Sequence, residues 1–394
     1  MNKKLGLAVA GALLAAASSA NAGITIPAGD WTIDIGGNVN AFYTHTSGSA
    51  LAGAPNKNTV QTGLLPSAIG FGGKTRQNDL DVAFQFTFFV GGDSGGVASS
   101  VFPALNGAAP QGAAGGNNIN IRQAFMTVGD ASWGSVKFGR DLGIYGSDAI
   151  LSDMTLLGVG VGAGANGSST LGRIGSGYMY ADWVGQISYT SPNFNGFQVS
   201  GGVRQPWTNA VAGGDATNSN MGFEGKVTYD FSVSDVTGRV WASGITQKHD
   251  AATTPAYTSK GYDLGAKVAY QGLGLVGYWY EGDGLSGPAS NLSGLMFLGG
   301  EKTQDSGGYV QATFTIPGVG TKLGASWGES MTKAANSSVE AKNESWIVGA
   351  YHPLTKSLNV VAEYTNQDLT NIGGTAAANQ GTNKTVSLGA ILFF

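Results

Sequence analysis

The last ten residues of the chain, Thr385–Phe394, read TVSLGAILFF. Alternate positions form an apolar face, Val386, Leu388, Ala390, Leu392 and Phe394, and a second face that begins with Thr385 and Ser387. A terminus is normally the easiest segment to solvate, yet this one carries no charged residue after Lys384. Such a strand is stable when a core or lipid covers its apolar face and another strand pairs with its edge.

The same period of two recurs along the chain. In DLDVAFQFTFFV, residues 79–90, apolar residues alternate with Asp81, Gln85 and Thr87, and similar patterns occupy residues 31–43, 223–230 and 262–271. An aromatic residue often bounds the apolar face, as in the interfacial girdles of membrane barrels. These segments are therefore predicted to be strands with one apolar and one polar face.

The connections between strands alternate in length. Short turns are predicted near residues 75–78, 129–132, 191–196, 231–234, 271–274, 317–320 and 352–356, and long Gly/Asn/Ser/Thr-rich connections near 47–60, 91–117, 142–180, 205–218, 248–259, 282–304, 331–341 and 367–382. With about sixteen strands of about ten residues, this rhythm predicts an all-β fold, a transmembrane antiparallel up-and-down β-barrel. Its short turns would be periplasmic and its long loops extracellular.

A soluble β-sandwich would show the same alternation, because its apolar faces pack on a second sheet. The barrel interpretation is favoured by the even strand number and by the rhythm of the connections. In hydrocarbon every backbone amide needs a partner, so the sheet must close and the last strand must pair with the first. Phe394 would then lie at the seam of the cylinder.

The N-terminal residues have the features of a signal peptide. Lys3 and Lys4 precede an apolar run from Leu5 to Ala17, and Ala20-Asn21-Ala22 is a small-x-small cleavage site. We expect residues 1–22 to be cleaved and residues 23–394 to form one barrel domain. A retained membrane anchor is the alternative, although a run of this length is short for a transmembrane helix.

The composition excludes several classes of protein. The 394 residues include no Cys, which excludes a disulfide-stapled scaffold and thiolate zinc sites, and include 65 Gly without a collagen period. The formal net charge is −4, and loss of Lys3 and Lys4 makes it −6, so nothing recruits nucleic acid. No apolar run of about 18 to 20 residues follows the N-terminal segment, which excludes a helical membrane protein.

The stretch RQAFMTVGDASWGSVKFGRDLGIYGSDAILSDM, Arg122–Met154, resembles the entry to the constriction loop of the Gram-negative general porins. The segment ISYTSPNFNGFQVSGGV, which begins at Ile187, resembles the turn that follows that loop in the family, and the terminal Phe394 matches its assembly signal. This similarity of motifs covers roughly residues 117–204.

The resemblance implies a homotrimer of sixteen-stranded barrels in outer-membrane lipid and lipopolysaccharide, with Phe394 read by the barrel-assembly machinery. The third loop, residues 142–180, would fold into the lumen and narrow it. Each barrel would let ions and small hydrophilic solutes diffuse passively, with no catalysis and no cofactor. A substrate-specific channel remains an alternative within this class.

The resemblance also implies the residues of the constriction. Basic residues of the wall would be Arg122, Arg140 and Arg204, and acidic or polar residues of the loop would be Tyr145, Asp148 and Asp153. The strand alternation directs Arg122, opposite to Ile121 and Phe125, and Arg204, next to Val203, into the lumen. Arg140 has the parity of Val136 and Phe138, so a bulge at Gly139, or its position where the strand leaves the membrane, would have to turn it inward.

This cluster has fewer basic residues than family members often show, since Ala68 stands where many carry Arg. The loop segment GVGVGAGANGSSTLG, which begins at Gly158, is also almost neutral. The hypothesis that follows is a weakly selective or cation-tolerant pore.

Other motifs carry weaker signals. Gly162, Gly164 and Gly167 satisfy G-x-G-x-x-G, but no helix pattern follows, so dinucleotide binding is disfavoured. The three His residues are far apart in sequence, which argues against a metal site or a hydrolase. Asp283 and Glu281 could bind a divalent cation near lipopolysaccharide, although a solvated loop is the simpler interpretation. A non-conducting adhesin or structural barrel remains the alternative to a channel.

Overall fold

The computed structural model describes residues 23–49, 56–90, 119–162, 169–207, 220–250, 256–286, 302–334, 340–372 and 380–394. Eighteen strands form one antiparallel sheet within these ranges. They are β1 (Ile24–Ala28), β2 (Trp31–Gly48), β3 (Asn56–Gln61), β4 (Ser67–Gln77), β5 (Leu80–Val90), β6 (Ile119–Asp130), β7 (Gly134–Leu142), β8 (Trp183–Thr190), β9 (Phe197–Arg204), β10 (Gly222–Val233), β11 (Val236–His249), β12 (Tyr257–Tyr270), β13 (Leu273–Asp283), β14 (Gln304–Thr315), β15 (Lys322–Lys333), β16 (Glu340–Pro353), β17 (Leu358–Ile372) and β18 (Gly381–Phe393).

The sheet closes into a barrel of sixteen strand positions. Each strand pairs with its neighbour in sequence from β4 to β18, and β18 then pairs with β2 from Asn383↔Gly48 to Phe393↔Asn38. The short strands β1 and β3 add no position, because β1 continues the line of β18 along one edge of β2 and β3 continues the line of β4 along the other. The predicted barrel and the predicted seam are both confirmed.

Strand alternation separates the two faces of the wall. On β18, Val386 and Leu388 are 42% and 53% exposed on the outer face, whereas Ser387 and Ile391 are both 1% exposed on the inner face. The backbone amide of Phe394 donates to Gly37 O at 3.1 Å, and Gly37 N donates to Phe394 O at 2.9 Å. The apolar terminus is thus stable because its edge is fully paired.

The turns at one end of the barrel are short, as predicted. Between β4 and β5, Asn78 and Asp79 both have positive φ, 49° and 62°, which is the conformation of a two-residue type I′ turn. We call this end of the barrel the turn end and the opposite one the loop end. The predicted long connections other than 142–180 lie largely outside the described residues, and residues 1–22 lie outside them altogether.

Two irregularities shape the inner wall. Residues 62–66 leave the sheet between β3 and β4, so Leu64 and Leu65 enter the barrel, where both are 6% exposed. On β6 the register against β5 shifts at Thr87/Phe88, and Arg122 is the extra residue of the bulge. The bulge reverses the alternation, so Phe125 lies on the inner face with 4% exposure, and its predicted outward position is wrong.

No bulge occurs at Gly139, so one of the two predicted ways in which Arg140 could turn inward is wrong. The β6–β7 register runs without interruption through Gly139, although its φ of 125° is one that favours glycine. One helix longer than a single turn occurs among the described residues, α1 (Ser147–Ser152), and it lies in the connection between β7 and β8. Across all the ranges that the structure describes, no helix has the length and apolar character needed to cross a membrane.

Candidate pore constriction

The connection between β7 and β8, residues 143–182, is the third loop, and its described residues, 143–162 and 169–182, lie inside the barrel. It contains α1 and a 3₁₀ turn, Met154–Leu157. Most of its described residues are buried, and Ala149, Val159 and Tyr178 have no exposed surface. Its hydrogen bonds reach strands on several sides of the wall. The predicted inward fold of this loop is therefore confirmed.

The loop enters the lumen along β10 and β12. Ile144 N donates to Glu224 Oε2 at 2.6 Å, and Gly146 N donates to Asp263 Oδ2 at 3.1 Å. Tyr145, between these two anchors, is completely buried. Wall carboxylates thus satisfy backbone amides that would otherwise lose their water on entering the barrel.

The α1 helix presents Asp148 to two cations of the wall. Its carboxylate lies 2.6 Å from Lys226 Nζ and 2.9 Å from Arg239 Nη1. We call these three residues the charged dock. Asp148 is only 3% exposed, whereas the side chains of Lys226 and Arg239 keep 18% and 30% of their surface. Burial raises the pKa of the Asp148 carboxyl, but the two cations outweigh burial and hold that pKa below its usual value.

Asp153 caps the 3₁₀ turn and binds within the loop. Its Oδ1 accepts from Thr155 N at 2.9 Å, and its Oδ2 accepts from Tyr178 Oη at 2.7 Å and from Arg173 N at 3.1 Å. The carboxylate therefore connects the 3₁₀ turn to the part of the loop that contains Arg173 and Tyr178. It makes no ion pair with a wall cation among the described residues.

The part of the loop that follows the 3₁₀ turn is held by Glu363 of β17 and by Arg173, which belongs to the loop itself. We call Glu363 and Arg173 the buried dock. Glu363 Oε2 accepts from Val159 N at 2.8 Å and from Gly160 N at 2.7 Å. Its Oε1 accepts from Tyr351 Oη at 2.6 Å. A Cβ added at Gly158 would overlap this carboxylate, so the close approach requires glycine.

Arg173 completes the buried dock on the neighbouring strands. Its guanidinium donates to Ser326 Oγ on β15, and to Ser345 Oγ on β16 at 3.2 Å. It also donates to Ser176 O at 3.1 Å. The side chain has no exposed surface, and this burial lowers the pKa of Arg173 to about 10. The guanidinium thus stays charged at neutral pH while it meets neutral partners.

The loop also contacts the inserted residues on the opposite part of the wall. Leu64 N donates to Gly158 O at 2.9 Å, and Thr170 N donates to Gly63 O at 3.2 Å. The loop is thereby fixed between β10–β12, β15–β17 and the β3–β4 insertion. It crosses the lumen rather than lining one side of it.

The predicted wall residues meet different partners from those expected. Arg204 is 1% exposed and pairs with Glu224 at 2.5 Å, so it supports the loop entry through that carboxylate. The Arg122 guanidinium lies 4.7 Å from the centre of the Phe89 ring, on the inner face. Arg140 lies opposite Ala124 of β6 and Gly185 of β8 in the sheet, and it is half-buried. No ion pair joins any of the three to Asp148 or Asp153.

A family model described as Gram-negative porin matches residues 7–372. The chain belongs to this family. Gram-negative porins are outer-membrane channels and typically not enzymes, so the predicted family and outer-membrane location are confirmed. No curated protein sequence matches the chain at a significant level.

Solved structures show the same fold at low identity. The anion-selective porin from Comamonas acidovorans has 16% identity and a TM-score of 0.63, with 92% of this chain and 100% of that chain covered. OmpF of Salmonella typhi, in complex with daunomycin, has 18% identity and a TM-score of 0.64, with 94% and 100% covered. The trimer form of OmpT from Vibrio cholerae has 13% identity and a TM-score of 0.57, with 92% and 99% covered.

The porin lumen contains cations that the sequence analysis did not select. Lys226 and Arg239 contact Asp148, and Lys137 of β7 pairs with Asp141. All three alternate with outward apolar residues on their strands, so strand parity alone marks them as inward. Parity does not reveal which of them the third loop reaches, because that depends on the path of the loop through the barrel.

Two further inward lysines have no carboxylate partner. Lys267 lies opposite Arg239 on β12, and Lys322 begins β15 with its Nζ 4.8 Å from the centre of the Tyr351 ring. Within the ranges that the structure describes, neither makes an ion pair. The same ranges contain no cluster of three or more residues that could hold a metal ion.

Proposed function

We propose that this porin forms a water-filled channel for the passive diffusion of ions and small hydrophilic solutes. Its selectivity would be set by lumen Arg and Lys residues that face acidic residues of the third loop. The observation that carries the proposal is the charged dock, where Asp148 of the loop meets Lys226 and Arg239 of the wall. Opposed charges at close quarters in a narrow passage set ion preference.

The six residues selected from the sequence are given two roles in this proposal. Asp148 and Arg122 act on permeating ions. Asp148 partly neutralises Lys226 and Arg239, which keep some surface in the lumen, and Arg122 lies on the inner face beside the Phe89 ring. Arg204, Tyr145 and Asp153 position the loop through buried contacts. Arg140 would influence the potential near the end of the loop.

We infer that the mature chain, residues 23–394, assembles as a homotrimer in outer-membrane lipid and lipopolysaccharide after residues 1–22 are removed. The trimeric Vibrio cholerae structure of similar fold supports the assembly. The continuous outward apolar face, which includes Leu388 and Phe394, supports the lipid contact. Phe394 would also be the residue that the barrel-assembly machinery recognises.

Conductance across a planar lipid bilayer tests the proposed function. The purified mature protein, residues 23–394, should produce stepwise increases of current in KCl, and the reversal potential in a KCl gradient should change in Asp148→Asn. Arg76→Gln, which removes an exposed charge at the turn end, is the matched control. A protein that inserts into the bilayer but conducts no ions would instead be a non-conducting adhesin or structural barrel.

A further inference from the structure

The third loop presents an unusual surface to the lumen for a channel that carries hydrophilic solutes. Leu151, Leu156 and Leu157 are only partly buried, and together with Leu65 of the β3–β4 insertion they line a cavity of about 170 Å³. The cavity lies between the 3₁₀ turn and strands β14 and β15. A cluster of leucines beside water offers apolar surface that the apolar part of a solute can cover favourably.

The wall opposite the leucines supplies polar groups. Gln311, Thr313 and Lys322 of the wall belong to the lining, together with Ser152, Asp153 and Met154 of the loop. Lys322 makes no ion pair or hydrogen bond within the described residues, and its contact is the face of the Tyr351 ring at 4.8 Å. Asp153 and Glu363 act on this ammonium group only at longer range, and an ammonium group with no ion pair beside an apolar wall can bind the charged end of an amphipathic anion.

Two carboxylates that act on Lys322, those of Asp153 and Glu363, could weaken anion binding, and both accept several hydrogen bonds. Glu363 accepts those of the buried dock. Asp153 lines the cavity, but its carboxylate accepts hydrogen bonds from Thr155 N, Tyr178 Oη and Arg173 N. Gln311 accepts from Met154 N and donates to Ser152 O, which holds the loop against this wall. Lys322 is therefore the group left to meet a solute.

A second cation lies at the other end of the leucine cluster. Leu65 and Leu156 also border a smaller cavity lined by Arg122, Tyr180 and Trp183. The apolar surface thus runs from Lys322 on β15 to Arg122 on β6. A solute that leaves one cation can therefore reach the other along this surface. Asp153 is the one acidic residue in the linings of the two cavities.

We propose that this cavity is a binding subsite for small organic monocarboxylates with an apolar body, of which benzoate is the simplest aromatic example. The inference rests on the proposed channel function and adds a class of preferred solute to it. The carboxylate would pair with Lys322, and the ring would contact Leu151, Leu156 and Leu157. An apolar cavity of about 150 Å³ holds a benzene molecule, so the volume suits one ring.

The test measures block of the KCl current through single channels of the mature protein by four probes. Sodium benzoate carries the ring and the charge, benzyl alcohol only the ring, sodium acetate only the charge, and benzylammonium chloride the ring with the opposite charge. We expect benzoate to reduce the current in a saturable manner at concentrations at least about tenfold below those of the other three. Equal block by acetate and benzoate would overturn the proposal.

Variants locate the subsite. Lys322→Gln should raise the half-blocking concentration of benzoate about tenfold, and Leu156→Asn about fivefold, without abolishing the KCl current. Lys267→Gln removes the other unpaired inward lysine and is the matched control, which should leave the block unchanged. If Lys267→Gln weakened the block as much as Lys322→Gln, benzoate would be sensing only the lumen potential and the subsite would be refuted.

The two proposals fail in different ways. Absence of KCl current in the wild-type protein would contradict the channel itself. A normal KCl current that benzoate does not block would contradict only the subsite.

Discussion

The two docks hold the same loop with different chemistry. In the charged dock, Asp148 meets Lys226 and Arg239, whose side chains keep part of their surface in the lumen. In the buried dock, Glu363 and Arg173 meet backbone amides and hydroxyls and are 4% and 0% exposed. A buried charge without solvent must be satisfied completely, whereas a charge beside water can act on passing ions.

This difference separates structural roles from functional ones. Substitutions in the buried dock should release the loop and enlarge the passage. Substitutions in the charged dock should leave the loop in place and change which ions pass. The following experiments test that separation, beginning with the largest expected effect.

Replacement of Glu363 by leucine should have the largest effect. Val159 N, Gly160 N and Tyr351 Oη would lose their acceptor in a site that excludes water. Each unsatisfied donor costs about 1–3 kcal/mol, so the loop should detach. Single-channel recordings should show a higher and more variable conductance. Glu363→Gln, which keeps one acceptor oxygen, should behave closer to the wild type, and unchanged conductance in Glu363→Leu would contradict the buried dock.

Arg173→Met should loosen the same part of the loop by a smaller amount. The substitution fills much of the volume but leaves Ser345 Oγ and Ser176 O without their donor. A loss of about 2 kcal/mol corresponds to roughly thirtyfold faster exchange of amide hydrogens through local opening. Hydrogen-exchange mass spectrometry of residues 169–178 measures this. Lys267→Met, another loss of an inward cation, should leave the exchange of that segment unchanged.

Asp148→Asn should change selectivity without releasing the loop. The amide can still hydrogen-bond near Lys226, but the negative charge between two cations disappears. In the water of the lumen, one charge about 4 Å from a permeating ion changes the energy of that ion by about 1 kcal/mol. The cation/anion permeability ratio should therefore fall about fivefold in reversal-potential measurements. Asp230→Asn, which removes the other partner of Arg239 at a more exposed site, should produce a smaller change.

Much of this comparison could be anticipated from the sequence, and its limits have physical causes. The period of two predicted the wall and the seam, because side chains on a strand must alternate. Resemblance to the porins indicated an inward loop that contains Asp148. The bulge at Arg122 reversed the alternation, so that Phe125 faces inward. No glycine or turn residue at that position indicates this bulge in the sequence.

The partners of Asp148 could not be predicted from the sequence, for a different reason. Lys226 and Arg239 lie 78 and 91 residues from Asp148 along the chain. Strand parity places both in the lumen, but many inward polar residues share that property. Only the path of the loop past β10 and β11 selects these two. The same holds for Glu363, an inward carboxylate whose role depends on where Val159 and Gly160 arrive.

The pH dependence of selectivity should be small over a wide range. Because Lys226 and Arg239 lower the pKa of Asp148, its charge and its contribution to loop binding are fully present above the usual carboxyl pKa. They are lost only as the pH falls through the lowered value. The permeability ratio should thus stay constant from pH 7 to about pH 4. In Lys226→Gln the ratio should begin to fall at a higher pH, and an identical titration in both proteins would contradict the charged dock.

The smallest effect is expected from an exposed ion-paired cluster at the turn end of the barrel. Arg76 lies at the turn end, 2.9 Å from Asp81 and 2.8 Å from Asp130, with half of its side chain in solvent. Exposed ion pairs contribute little to stability, and salt screens their field over short distances. Arg76→Gln should therefore leave the thermal unfolding transition, the conductance and the permeability ratio unchanged in 1 M KCl. If its effect on selectivity matched that of Asp148→Asn, net charge and not the position of Asp148 between two cations would govern the passage of ions.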